Sequence, residues 1–231
     1  MSEILSASIY FGVTVSIVGY CLGLWVNSKF KWGILNPLLI SIAFVILTLL
    51  VFNIDYESYN EGAKYLSYLL TPATVCLAVP LYLQLHLLKK YFVALSVGIT
   101  TGVFSSLISV TLLSKIFQLT NEQLVTLLPK SITTAIGIGI SEELGGIVTL
   151  TVSAIILTGV LGNIIAVGVC KLFKIKEPIA VGLAIGASSH VMGTSKALEL
   201  GEIEGAMSSV SIVIAGLLTV LLAPVFANLA F

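Results

Sequence analysis

The stretch LLPKSITTAIGIGISEELGG at residues 127–146 decides how this chain folds. Two short apolar segments flank a turn that contains Pro129, Lys130 and several hydroxyl side chains. Proline lacks an amide hydrogen and disfavours helix at the residue before it, so the stretch predicts two half-helices joined by a polar turn. Inside a membrane, such irregular backbone persists only where protein or a water-filled cavity satisfies its polar groups. We therefore expect the turn to line a wet site.

The composition indicates that the surroundings are indeed a membrane. Of the 231 residues, 58% are apolar and only 10% are charged. The mean hydropathy is +1.12, far from the balance of soluble domains. The 11 basic residues are all lysines, matched by 11 acidic residues, so nucleic acid is not an expected partner. Membrane lipid is.

Uninterrupted apolar runs, each long enough to cross a bilayer of about 30 Å, predict six full spans. They lie at about residues 4–26, 32–52, 66–88, 91–117, 147–170 and 206–226. A second broken stretch, GASSHVMGTSKALELGEIEG, occupies residues 186–205. The sequence predicts one membrane domain over residues 1–231, divided into 4–90 with three spans, two hairpin-containing units at 91–146 and 147–205, and a last span within 206–231.

Lysine placement predicts the orientation, because short cytoplasmic loops are enriched in basic residues. The lysines near 29–31, 89–90 and 171–176 would then be cytoplasmic, and the acidic loop at 53–64 would face the other side.

This alternation requires both broken segments, 121–146 and 177–205, to return to the side they entered from as re-entrant hairpins. In the alternative, each broken segment crosses fully as a discontinuous helix, and the link at 171–176 lies outside. The predicted fold is thus an all-α polytopic membrane protein with about six full transmembrane helices plus two re-entrant or broken helical hairpins.

The two hairpin-containing units share one order of features. Each has a long span, a charged link, a half-helix, a polar turn, a second half-helix and an exit with glutamate and glycine. Because the two units begin on opposite sides, they form an inverted repeat, and inverted repeats with broken helices are typical of transporters.

Side chains at the two turns form the candidate substrate site. We expect the second half-helices to begin near Ser131 and Thr194, where their free N–H groups attract anions. With lysine and hydroxyl donors added, such a site suits a small hydroxylated or keto carboxylate. The candidates are Lys130, Ser131, Thr133, Thr134, Ser188, Ser189, His190, Gly193, Thr194, Ser195 and Lys196.

These side chains also have plain structural interpretations. The lysines could extend to the membrane surface, and the hydroxyls could hold helices together. His190 could relay a proton, bind substrate or be a neutral core residue. Nothing in the spacing indicates a metal site or a cofactor, and there is no G-x-S-x-G elbow, phosphate loop or HExxH motif. We therefore expect neither metal nor cofactor, and no enzyme.

Four stretches carry a family resemblance that covers essentially the whole chain. They are NPLLISI at 36–42, YLLTPATVCLAVPLYLQ at 68–84, the stretch at 127–146, and GASSHVMGTSKALELGEIEGAMSSVSI at 186–212. Through them the chain resembles the LrgB/CidB family of bacterial inner-membrane proteins.

The resemblance implies a multi-pass protein of the bacterial inner (cytoplasmic) membrane and two functions. One is a carrier of small monocarboxylates such as pyruvate, glycolate or glycerate, working with a small LrgA-type membrane protein. The alternative is an antiholin-like regulator of holin-type pores and murein hydrolase export. The two cationic turns favour the carrier, because a holin has no use for them. A homo-oligomer is also expected.

Overall fold

The computed structural model describes residues 10–30, 37–69, 72, 75–76, 78–83 and 85–229. Every regular element within these ranges is a helix, and four of the helices are long and apolar enough to cross a membrane. The predicted all-α polytopic membrane fold is therefore confirmed. Contacts group the chain into two compact units, residues 1–76 and 77–231, and a single domain over the whole chain stays a prediction.

The first unit contains α1 (Tyr10–Phe30), α2 (Pro37–Phe52) and α3 (Tyr56–Ser67). Glycines on α1 let α2 pack closely, with Gly23 lying against the backbone of Pro37. The described part of α2 has 16 residues and is about 24 Å long.

Helix α3 corrects the predicted acidic loop at 53–64. Asp55 caps this helix, because its side chain accepts a hydrogen bond from the amide of Glu57 at 2.9 Å. The hydroxyl of Tyr59 is hydrogen-bonded to that of Ser16 on α1 at 2.7 Å. The Asp55 cap and the packing of one face against α1 stabilise a helix here. The charges of the segment had suggested a loop.

The second unit contains three long unbroken helices, α6 (Phe92–Ile116), α9 (Val148–Leu172) and α11 (Glu202–Leu229), together with shorter or broken ones. They match the predicted spans at 91–117, 147–170 and 206–226, although α11 starts earlier, at Glu202. Part of the predicted third span, 66–88, lies outside the described residues. The elements are α4 (Ala78–Leu83), α5 (Leu85–Lys90), α6 (Phe92–Ile116), α7 (Asn121–Leu127), α8 (Thr134–Glu143), α9 (Val148–Leu172), α10 (Pro178–Leu200) and α11 (Glu202–Leu229).

This unit has two ends. At the first, here called the Lys115 end, the ammonium of Lys115 on α6 donates to the carbonyl oxygen of Leu229 on α11 at 3.4 Å. At the other, called the Lys171 end, Leu95 near the start of α6 packs with Ala206 near the start of α11. Helices α6 and α11 are therefore parallel.

Hairpin 1, formed by α7 and α8, enters and returns at the Lys115 end. The amide of Ile147 donates to the hydroxyl of Thr126 at 2.8 Å, and the hydroxyls of Ser141 and Thr151 are 2.7 Å apart. These bonds tie α7, the end of α8 and the start of α9 together. The turn between α7 and α8 reaches the middle of α6, where Ser131 meets Ser106.

Hairpin 2 is α10, which breaks at His190, where φ is 43° and ψ is −140°. The limb before the break runs antiparallel to α9, with Val181 packed near Cys170. The limb after it returns, because Ala197 joins the same cluster at the Lys171 end. Both broken segments are thus re-entrant, they enter from opposite ends, and the alternative of full crossings is not seen.

The orientation of these ends relative to the cytoplasm is a testable prediction. Lys174 and Gln118 are matched positions, since both are exposed and both follow a helix with φ near 55° (56° and 53°). In a chain whose cysteines Cys21, Cys76 and Cys170 are replaced, we expect an impermeant maleimide added outside cells to label Gln118→Cys but not Lys174→Cys. Permeabilised cells should show both labelled. The reverse pattern in intact cells would place the Lys171 end outside.

Candidate anion site at the hairpin turns

The turn of hairpin 1 places Lys130 in the middle of the second unit. Its ammonium lies 3.1 Å from the hydroxyl of Ser131 and 3.5 Å from that of Ser106, and these two hydroxyls are themselves 3.1 Å apart. Among the described residues no carboxylate pairs with Lys130. The one ion pair in this part of the chain joins Lys196 and Glu199 of α10. A half-buried ammonium within a membrane protein is costly without an anionic partner, which makes it a candidate functional group.

A cavity of about 860 Å³ leads to Lys130 from the Lys171 end. It begins beside Tyr91 and the exposed Glu177 and runs between α6 and the first limb of α10. Its volume is typical of small-molecule sites. Five serines supply most of its polar lining near Lys130: Ser105, Ser106, Ser109, Ser131 and Ser188.

A second cavity of about 400 Å³ reaches Lys130 on the other side of the same limb, between α9 and α10. Ser188 and Ala184 line both cavities, whereas Ser189 lines only this one of the two. Lys130 therefore lines both cavities.

The packing is close on the side of Ser106 and Ser131 that faces α11. There the two serines border a void of only about 10 Å³, which Ala215 and Thr219 of α11 also line, close to the smallest space that holds one water molecule. Leu107 of α6 and Leu128 of hairpin 1 line it too, and both belong to a buried cluster with Leu124.

Four of the predicted site residues line the cavities: Lys130, Ser131, Ser188 and Ser189. Thr133 and Thr134 do not. Because the turn continues through Ile132, whose amide donates to Pro129 O at 3.3 Å, α8 begins at Thr134 rather than near Ser131. Thr133 is its N-cap residue, without a side-chain capping bond.

His190, Gly193 and Thr194 build the turn of hairpin 2 and do not line either cavity. The Nε2 atom of His190 lies 3.0 Å from the carbonyl oxygen of Ile155 on α9. The hydroxyl of Thr194 donates to His190 O at 3.0 Å and bonds to Ser208 of α11 at 2.7 Å. The break is at His190, so the second limb begins before Thr194, contrary to the prediction. Gly193 allows this limb to lie against Ser189.

The structure does not bring Ser195 and Lys196 to Lys130. The returning limb carries both toward the Lys171 end, and Lys196 pairs with Glu199 at 2.7 Å. Ser195 donates to Met192 O at 2.7 Å and accepts from Asn163 of α9 at 3.2 Å. The described contacts therefore do not join the two lysines in one site, because the chain turns back at His190, before Thr194.

Three lining serines were not among the predicted site residues, because they belong to a long apolar span: Ser105, Ser106 and Ser109. Their spacing puts Ser105 and Ser109 on one helical face. That pattern alone does not separate a cavity lining from a helix–helix contact.

Comparisons with known proteins identify the family to which the chain belongs. The model of the LrgB-like family matches residues 16–229. The proteins named "Antiholin-like protein LrgB" in Bacillus cereus (strain B4264) and Bacillus anthracis (strain A0248) are each 37% identical over 219 residues, which is 94% of this chain and 95% of theirs. No solved structure matches the chain. The chain belongs to the LrgB family of multi-pass membrane proteins.

Proposed function

We propose that this protein carries small monocarboxylates of the pyruvate, glycolate or glycerate type across the membrane, and that Lys130 binds the carboxylate. The observation that carries the proposal is the ammonium of Lys130 in the lining of a serine-rich cavity, with hydroxyls as its only described partners. A carboxylate there gains charge-assisted hydrogen bonds. Ser106 and Ser131 are placed to bond a neighbouring keto or hydroxyl oxygen.

A second candidate function is regulation of a holin-type pore and of murein hydrolase export. The name of the relatives, antiholin-like protein LrgB, favours this function more directly than it favours transport. The geometry of Lys130 favours transport. Under either function we propose a location in the bacterial inner membrane, a small LrgA-type membrane protein as partner, and a homo-oligomeric state.

Uptake by proteoliposomes separates the two functions. We expect vesicles that contain the chain, with the LrgA-type protein added where required, to accumulate labelled glycolate saturably while excluding labelled mannitol. A carrier selects by charge, whereas an open pore of sufficient width passes both solutes. Equal passage of mannitol and glycolate, or no uptake with or without the partner, would contradict transport. If there is no uptake, a change in solute release through a holin-type pore when this chain is added would support regulation.

A further inference from the structure

We propose that the 400 Å³ cavity between α9 and α10, here called the α9–α10 groove, binds a medium-chain monocarboxylate with its carboxylate at Lys130 and its tail along α9. The groove is lined by Lys130, Thr158, Leu161, Gly162, Ile165, Ala166, Val169, Cys170, Ala184, Ile185, Ser188 and Ser189. This inference rests on the proposed affinity of Lys130 for anions.

The groove has the shape of an extended chain. Leu161, Ile165 and Val169 recur every fourth residue and so form one wall of α9; each is between 41% and 56% exposed. The small residues Gly162, Ala166 and Ala184 lie among them and give the groove its depth. From position 158 to position 170 the helix rises about 18 Å, enough for an alkyl chain of ten carbons.

Its chemistry is polar at one end only. Lys130, Ser188 and Ser189 lie at the level of the hairpin turns, and the hydroxyls of the two serines are 3.0 Å apart. Toward Cys170 the lining is aliphatic. The complementary ligand therefore has one small anionic head and an unbranched apolar tail, which is the description of a fatty-acid anion.

The depth of the charged end argues against a phospholipid. Lys130 lies near the middle of the unit, whereas the aliphatic part of the groove runs toward the Lys171 end. A charged group is costly to hold at this depth, so a compact carboxylate suits the position of Lys130 better than a bulky phosphate headgroup does. Because Lys130 also lines the 860 Å³ cavity, a fatty-acid anion in the groove would compete with the short carboxylate.

Fluorescence quenching tests the groove directly. Trp25 and Trp32 are replaced by phenylalanine, and one new tryptophan is placed by Val169→Trp inside the groove, where the end of the tail should lie, or by Leu172→Trp about one turn away. Leu172 is 76% exposed and outside the groove lining, so it reports ordinary partition into lipid. In nanodiscs, 10-bromodecanoate should quench the tryptophan at 169 saturably and that at 172 only linearly. Lys130→Gln should weaken the saturable binding at least tenfold, and Lys130→Arg should retain it.

Several outcomes would contradict binding of a medium-chain monocarboxylate in the groove. Equal linear quenching at both positions means partition into lipid, and quenching that survives Lys130→Gln means that the tail binds without the ammonium. Saturable quenching by a brominated phospholipid, but not by bromodecanoate, assigns the groove to lipid. Glycolate uptake in the same preparation separates the two proposals: uptake without saturable quenching overturns the groove alone, and quenching without uptake overturns the carrier alone.

Discussion

Replacing Lys130 with glutamine should lower glycolate uptake by about ten- to a hundredfold, whereas Lys196→Gln should change it by no more than about twofold. Hydrogen bonds to a charged group contribute roughly 1.5–3 kcal/mol, and every 1.4 kcal/mol is about tenfold in affinity. Lys196 instead forms an exposed pair with Glu199 at a spacing of three residues. Such pairs contribute only about 0.3–0.5 kcal/mol.

The two variants are matched because both remove one lysine charge from a hairpin. Uptake is measured in proteoliposomes with equal amounts of folded protein, checked by size-exclusion chromatography. Lys130→Arg serves as a second control, since it preserves the charge but changes the geometry of the donors. Equal losses in Lys130→Gln and Lys196→Gln would show that Lys130 acts only as a general positive charge.

Gly186→Ala should destabilise the protein clearly, whereas Gly168→Ala should leave its stability unchanged or slightly raised. A Cβ atom at Gly186, in the first limb of hairpin 2, would fall on the backbone and side chain of Ser208 in α11. Overpacking of this kind costs about 1–3 kcal/mol. At Gly168 on α9 a Cβ atom meets nothing within 4 Å, and alanine is the better helix former by about 1 kcal/mol.

Thermal unfolding in detergent measures this difference. The fraction that remains monodisperse after heating should fall at a lower temperature for Gly186→Ala than for the unmodified chain. Identical midpoints for the two glycine variants would show that hairpin 2 and α11 are not packed as closely as the structure has them.

The re-entrant turns could be predicted from sequence because their signals are local. Pro129 ends a helix by its own chemistry, and Lys130 beside it is costly in lipid. The position of the second turn was predicted less well. The second half-helix was expected to begin near Thr194, where glycine at 193 could adopt positive φ, yet the break is at His190. Bonds to Ile155 and Thr194 hold that histidine in its unusual conformation, and they depend on packing that a sequence does not display.

The lining of the site was predictable only in part for the same reason. Ser131 is adjacent to Lys130 in sequence, whereas Ser106 is 24 residues away on a span with no distinguishing signal. Only the return of hairpin 1 against α6 brings it near. At α3 the local signal was present but was not used. The acidic charges of the segment suggested a loop, although Asp55 at its start is a typical helix cap.

The small void behind Ser106 and Ser131 has a mechanical consequence. At about 10 Å³ it is too small for a carboxylate, whereas the cavity that reaches the same two serines is large enough for one. Leu107 and Leu128 line the void and belong with Leu124 to one buried cluster. A carrier whose substrate passed this way would have to part these side chains in each cycle, whereas a protein that only restrains a pore would not. If substrate does pass this way, leucine-to-alanine changes at these positions would let small anions leak across the membrane. Close packing here would then preserve the membrane's ion gradients as well as shape the binding site.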